Sequence, residues 1–226
     1  MTSESDKLEE FYAFIKDGCS VAEFLARYDA IFPYIHGVGL TEDFRLGKGR
    51  TKKLRDEIRP VHRFVKVHAK PDDRIRFSLD DSAPDCHFYR HSNDKEYGIE
   101  VTIAQGKAQF HLATELNEQG IGPGFSNKTD DTDWHSFNRL RVCYSTDEAL
   151  QTLIRSVKIC VQNKSLFQGD ILLIDAPLNA LPRERWDTIH GTLMEKVERM
   201  GFREVYLSGH CNSEDICIPL KAPENH

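Results

Sequence analysis

The chain of 226 residues carries 39% hydrophobic and 29% charged side chains and a net charge of −6. That is enough for one large domain, or for a domain with a small appendage. No run of about 18 apolar residues is present, so no membrane partner is expected, and six scattered cysteines without paired spacing argue for reduced thiols. The opening MTSESDKLEE is acidic where a secretory signal is basic and then apolar, which makes a cytoplasmic location the expectation.

Leu8, Phe11, Tyr12 and Ile15 recur at helical spacing, which predicts a helix over 4–17 stopped by Gly18. Ser20 then reads as the cap of a second helix. Glu23 completes a capping box, Val21, Phe24, Leu25 and Tyr28 supply the apolar stripe, and Pro33 is expected to end the helix. Residues 1–45 are therefore read as an N-terminal helical hairpin and 46–226 as the main α/β domain. After a glycine-containing link, residues 50–68 form a long basic helix with a break near Pro60. Strands are expected over 74–79, 85–89 and 97–103. Propensity favours helix over 104–119, and the Gly- and Asp-rich GIGPGFSNKTDDTDWHSF reads as a surface insertion at about 120–145.

Ser145 or Thr146 then caps a helix reaching about Asn163, striped by Leu150, Leu153, Ile154 and Val157. DILLID, 170–175, is nearly all apolar, as a strand buried on both faces is. A helix over 184–200 and a strand over 204–207 complete the order. Sequential strands suit an antiparallel meander, and a strand reached through helices suits a parallel crossover, so a mixed central sheet is expected.

The charge is uneven. Residues 45–70 hold ten Lys and Arg against Asp56 and Glu57, a local +8, which leaves 20 against 34 in the rest of the chain. Lys48, Arg50, Lys52, Lys53, Arg55 and Arg59 are thus candidates for phosphate contacts, with a solvated helix face as the plainer reading.

The stretch PDCHFYRHSNDKEYGIEVT, 84–102, places Asp85 at the start of one strand and Glu100 in the middle of the next, among Ile99, Val101 and Ile103. A carboxylate in a half-buried strand needs a partner, a hydrogen-bond network or a metal ion. With the hairpin turn centred between Asn93 and Asp94, Asp85 faces Thr102 and His87 faces Glu100. Asp85 and Glu100 then share one face within roughly 7–8 Å, close enough to hold one divalent cation between them. Taken singly, Glu100 could equally pair with a nearby arginine such as Arg76 or Arg139, Asp85 could cap a turn, and Glu57 could be an exposed helix residue.

Pro84-Asp85, Glu100-Val101-Thr102 and the helix–three strands–helix–strand order resemble the PD-(D/E)xK superfamily of restriction-endonuclease-like nucleases. The resemblance implies an αβββαβ core and magnesium- or manganese-dependent hydrolysis of nucleic acid, DNA before RNA, of the restriction or phage-defence kind. It also implies Asp85 and Glu100 as metal ligands and Glu57 as the extra acid of the first core helix. The lysine position holds Thr102, a departure from the pattern; Lys107, near the start of the following helix, is the expected substitute, with Lys158 and Lys164 next. The alternative is an inactive nuclease-fold module that binds nucleic acid or a protein partner. A homodimer is compatible with either.

Overall fold

The computed structural model describes residues 6–80, 82–104, 146–180, 183–211 and 214–222. The expected 104–119 helix, the 120–145 insertion and Lys107 therefore lie outside the described residues, Ala104 apart. Among the described residues the chain forms a mixed α/β fold in which six α-helices accompany one seven-stranded sheet.

α1 (Asp6–Asp17) stops at Gly18, whose φ of 88° is the left-handed conformation that glycine adopts cheaply. The two-residue strand β1 (Cys19–Ser20) leads into α2 (Val21–Gly37). The capping box is present: Ser20 Oγ accepts from Glu23 N and Glu23 Oε2 accepts from Ser20 N at 3.0 Å, an arrangement worth about 1 kcal/mol. Pro33 does not end α2, as the sequence suggested; the helix continues one turn past it to Gly37. A proline removes one backbone donor, and here the buried Ile31 and Ile35 on either side hold the helix against the core.

α3 (Thr41–Leu46) is followed by a short 3₁₀ turn (Gly49–Thr51) and a wide helical segment, Leu54–Ile58, that runs into α4 (Arg59–His68). In the wide segment Arg59 N–H donates to Leu54 O, five residues back, and Pro60 sits in the first turn of α4. The break expected near Pro60 thus takes the form of a wider turn carrying Glu57, a distortion frequent at functional sites.

The meander is present as β2 (Arg74–Phe77), β3 (Cys86–Arg90) and β4 (Lys95–Ile103), all antiparallel. After α5 (Thr146–Lys164), β5 (Gln168–Ala180) lies parallel to β4. α6 (Arg183–Glu198) crosses over to β6 (Gly201–Cys211), also parallel, and β7 (Glu214–Lys221) returns antiparallel at the edge. Sheet order equals chain order, β1 to β7.

The two faces of the sheet are covered unequally. On one face α1, α2 and α4 bury Ile75, Phe77, Phe88, Tyr97, Ile99, Ile171 and Leu173 in a single core, so the N-terminal helices share their apolar interior with the meander. On the other face α5 and α6 bury Leu172, Ile174, Phe202, Val205 and Leu207 of β5 and β6. β2, β3 and β4 carry Arg74, Arg76, His87, Tyr89, Glu96 and Glu100 on that second face, none of them buried. Glu100 therefore stands where the open part of the sheet meets the part that α5 covers.

Candidate active site

The hairpin register differs from the expected one. Cys86 pairs with Ile99 and His87 with Gly98, because the turn is centred one residue earlier, between Ser92 and Asn93. Every partner moves by two residues, an even number, so the faces are preserved. Continuing the ladder one pair past Cys86 sets Asp85 across from Glu100 rather than Thr102. Asp85 Oδ2 accepts from Val101 N at 2.7 Å, which fixes the carboxylate against β4.

Glu57 approaches the pair from the wide turn before α4. Burial first, and the charge of Asp85 second, push the Glu57 carboxyl above its ordinary value, against a hydrogen bond from Lys53. Asp85 is likewise pushed up by burial and by the charge of Glu100, against the Val101 hydrogen bond. The three expected acids are thus electrostatic neighbours, and the site resists carrying all their negative charge.

Two lysines answer it. Lys53 Nζ lies 3.1 Å from Glu57 Oε1 and donates to Asp80 O at 2.8 Å; Lys164 Nζ, in the last turn of α5, lies 3.3 Å from Glu100 Oε2. Among the described residues no group of three His, Cys, Asp or Glu is close enough to share a metal ion. The donor chemistry nevertheless fits a hard cation: carboxylate oxygens only, two of them on groups held above their usual pKa by proximity and burial. Asp85 and Glu100 would hold such an ion and Glu57 would flank it, with Lys164 displaced from Glu100.

Thr102, in the lysine position, shares the Glu100 face, and its neighbour Ile103 accepts from Cys160 Sγ at 3.4 Å on α5. Cys160 and Lys164 are one helical turn apart, so α5 runs back along β4 and delivers Lys164 to Glu100. Lys107 lies outside the described residues.

Sequence reading missed the part that several residues play. Lys53 was read only as a phosphate contact. Asp170, the first residue of DILLID, accepts from Gly98 N at 2.9 Å on the same face. Gly98 lets the two chains approach there, since a Cβ would stand a tight 3.0 Å from Pro84 Cγ. Arg74 and Arg76, exposed on the open face, border a cavity of about 310 Å³ with His87 and Glu96. Their signal was period-two alternation with Ile75 and Phe77. His87 Nδ1 pairs with Glu96 Oε1 at 3.1 Å and does not join the acids.

The expected phosphate-contacting residues do not form one surface. Lys48 and Lys52 are exposed, and Lys52 pairs with Asp56 at 3.4 Å. Arg50 binds Glu9 at 2.6 Å and Lys53 binds Glu57. Arg55 is buried beside Asp56, and Arg59 lies half-buried on the opposite side of the sheet. Compared with known proteins, the chain matches no family model, no curated protein and no solved structure.

Proposed function

We propose that this protein is a metal-dependent nuclease of the PD-(D/E)xK kind, with Asp85 and Glu100 as metal ligands, Glu57 as the flanking acid and Lys164 in the role of the motif lysine. The observation that carries this reading is that the charge of Asp85 acts on Glu57 and that of Glu100 on Asp85, where the described sheet is open beside α5. In further support, a helix bearing Glu57 precedes an antiparallel meander, a helix and a parallel strand, the order in which this kind of nuclease is built.

A bound magnesium or manganese ion would polarise the phosphoryl oxygen and lower the pKa of an attacking water. The protein's own part is positional. Asp85 is held by Val101 N, and Glu100 is presented from the centre of β4. Lys164, released from Glu100, stands near enough to steady the attacking oxygen or the developing charge on phosphate. Water adds to phosphorus, the bond to the leaving sugar oxygen breaks, and that oxygen takes a proton.

Supercoiled plasmid and single-stranded RNA, incubated with magnesium, with manganese and with EDTA, test the reading. Cleavage is expected with metal only, and Asp85→Asn and Glu100→Gln are expected to abolish it while circular dichroism stays native. Undiminished cleavage by both variants would sink the assignment.

A second reading, an inactive module of the same fold that binds nucleic acid or a protein, is favoured by a specific observation: both glutamates are already neutralised by lysines, and Thr102 fills the lysine position. Salt-sensitive nucleic-acid binding without metal-dependent cleavage would select it.

A further inference from the structure

On the sheet face away from the carboxylates, α2 and α4 leave a cavity of about 380 Å³. One wall is a side of α4, where Arg59, His62, Arg63 and Lys66 recur at spacings of three and four and so project together. Tyr28 and Phe32 of α2 form the aromatic wall, and Asp215 of β7 closes the back.

Three cations and three carboxylates stand around this cavity, and they pair unevenly. Arg63 lies 2.6 Å from Asp175 and 3.1 Å from Asp215, and Lys66 reaches the same Asp215 at 3.5 Å. Arg59 makes no ion pair with any described residue; it has the Phe44 ring at 5.8 Å. Burial first, and then the charge of Arg63, push the Arg59 guanidinium below its ordinary pKa, and the more distant Asp175 and Asp215 offset this only in part. His62 supplies no charge, because burial pushes it down to about 4 and its ring stacks on Tyr28 at 4.0 Å. Asp29, which pairs with His62 at the mouth, is 75% exposed, so its charge is screened by water. Arg63 is fully buried, and its Nη2 has no hydrogen-bond partner among the described residues. A half-buried unpaired guanidinium, beside a buried one with an idle donor, is costly unless an anion completes it.

We propose that the α2–α4 cavity binds a small oxyanion, either phosphate itself or the phosphate of a mononucleotide, through Arg59 and Lys66 with Arg63 behind them. The planar guanidinium offers two parallel N–H donors to such a group, Lys66 adds a mobile ammonium at the rim, and the volume is that of a small-ligand site. The site is independent of the nuclease reading, since it shares no side chain with the carboxylate cluster.

Calorimetric titration of the full chain with sodium phosphate, at ionic strength held constant with sodium chloride, tests it. Saturable binding at one site is expected, and Arg59→Gln and Lys66→Gln should each weaken it about tenfold, the loss of a charge-assisted hydrogen bond. Lys196→Gln, on the exposed side of α6, should leave it unchanged. A parallel titration with 5′-AMP separates the sources: tighter binding lost in the same variants identifies a nucleotide, and equal binding identifies phosphate alone. Should Arg59→Gln fail to fold, the exposed Lys66 decides by itself. No saturable binding, or binding unaffected by Lys66→Gln, which would mark an adventitious ion only, overturns the proposal.

Discussion

The sheet carries a charge cluster on each face, built from the same residue types and tuned in opposite directions. On the open face Asp85 and Glu100 stand with Lys164, Glu57 and Lys53 come from the segment before α4, and the two shifted carboxyls, Glu57 and Asp85, are pushed up. On the covered face Arg63 lies between Asp175 and Asp215 under α4, and there the order is reversed. Burial pushes Asp215 up, but Arg63 and then Lys66 hold it below the usual carboxylate range. Burial works against the Arg63 guanidinium in turn, and Asp175 and Asp215 more than offset it. A cluster whose acids are ion-paired to a buried guanidinium is a structural joint. One whose acids remain destabilised is what the proposed cation site requires.

The largest effect should come from breaking the satisfied cluster. Arg63→Met leaves Asp175, which is fully buried, as an uncompensated charge, at a cost of about 3–5 kcal/mol in urea unfolding at pH 7. Adding Asp175→Asn should return much of that, because the orphaned charge goes with it. A loss below about 1 kcal/mol in the single variant would show that water reaches Asp175 and that the joint is not one.

The open cluster should answer with the opposite sign. A carboxyl whose folded pKa is raised destabilises the fold at pH values above that pKa, and the penalty disappears below its unfolded pKa. Asp85→Asn is therefore expected to raise the melting temperature at pH 7, with the gain over wild type vanishing as the pH falls through the ordinary carboxylate range near about 4. Asp215→Asn should instead lower it at pH 7, and that deficit should close as the pH falls through the depressed pKa of Asp215. Identical pH profiles for the two variants would erase the distinction between the faces.

How much of this was legible in the chain follows from the range over which each signal acts. Ser20 and Glu23 announced a helix start because a capping box is local. Period-two alternation put Asp85, His87, Glu100 and Thr102 on one face even though the register was off, since a two-residue shift keeps the parity. β1 was too short to register, and β7 was hidden by Pro219, which a strand at the edge of the described sheet tolerates because its outer side pairs with no described strand. The buried joint was invisible: Arg63 belonged to a basic run that read as surface, and its partners lie 112 and 152 residues away. Lys164 was legible only as a reserve candidate, because its place depends on the direction in which α5 crosses β4.

A smaller effect concerns Lys164. On the proposed reading it competes with a cation for Glu100, so Lys164→Met should tighten manganese binding measured by calorimetry while it slows cleavage. A purely structural lysine would tighten binding without changing the rate, and an unchanged affinity would show that Lys164 and the ion do not share Glu100.

The smallest effect distinguishes the two basic regions. Arg74 and Arg76 lie exposed on the same face as the carboxylates, whereas Lys48 and Lys52 lie on the segment leading to Glu57. A nucleic acid that reaches Asp85 and Glu100 over the open face must pass the two arginines. Each phosphate they neutralise contributes a log–log salt slope of about −0.9 on duplex DNA. In an Asp85→Asn background, where cleavage cannot distort the titration, Arg74→Gln with Arg76→Gln should therefore reduce the slope by roughly two, equally for all sequences, because phosphate contacts position without specifying. Lys48→Gln with Lys52→Gln should reduce it less, since Lys52 is already engaged by Asp56. The reverse ranking would route the strand along the helical side. A slope unaltered by either pair would detach nucleic acid from this face altogether, leaving the open cluster to be explained by its lysines.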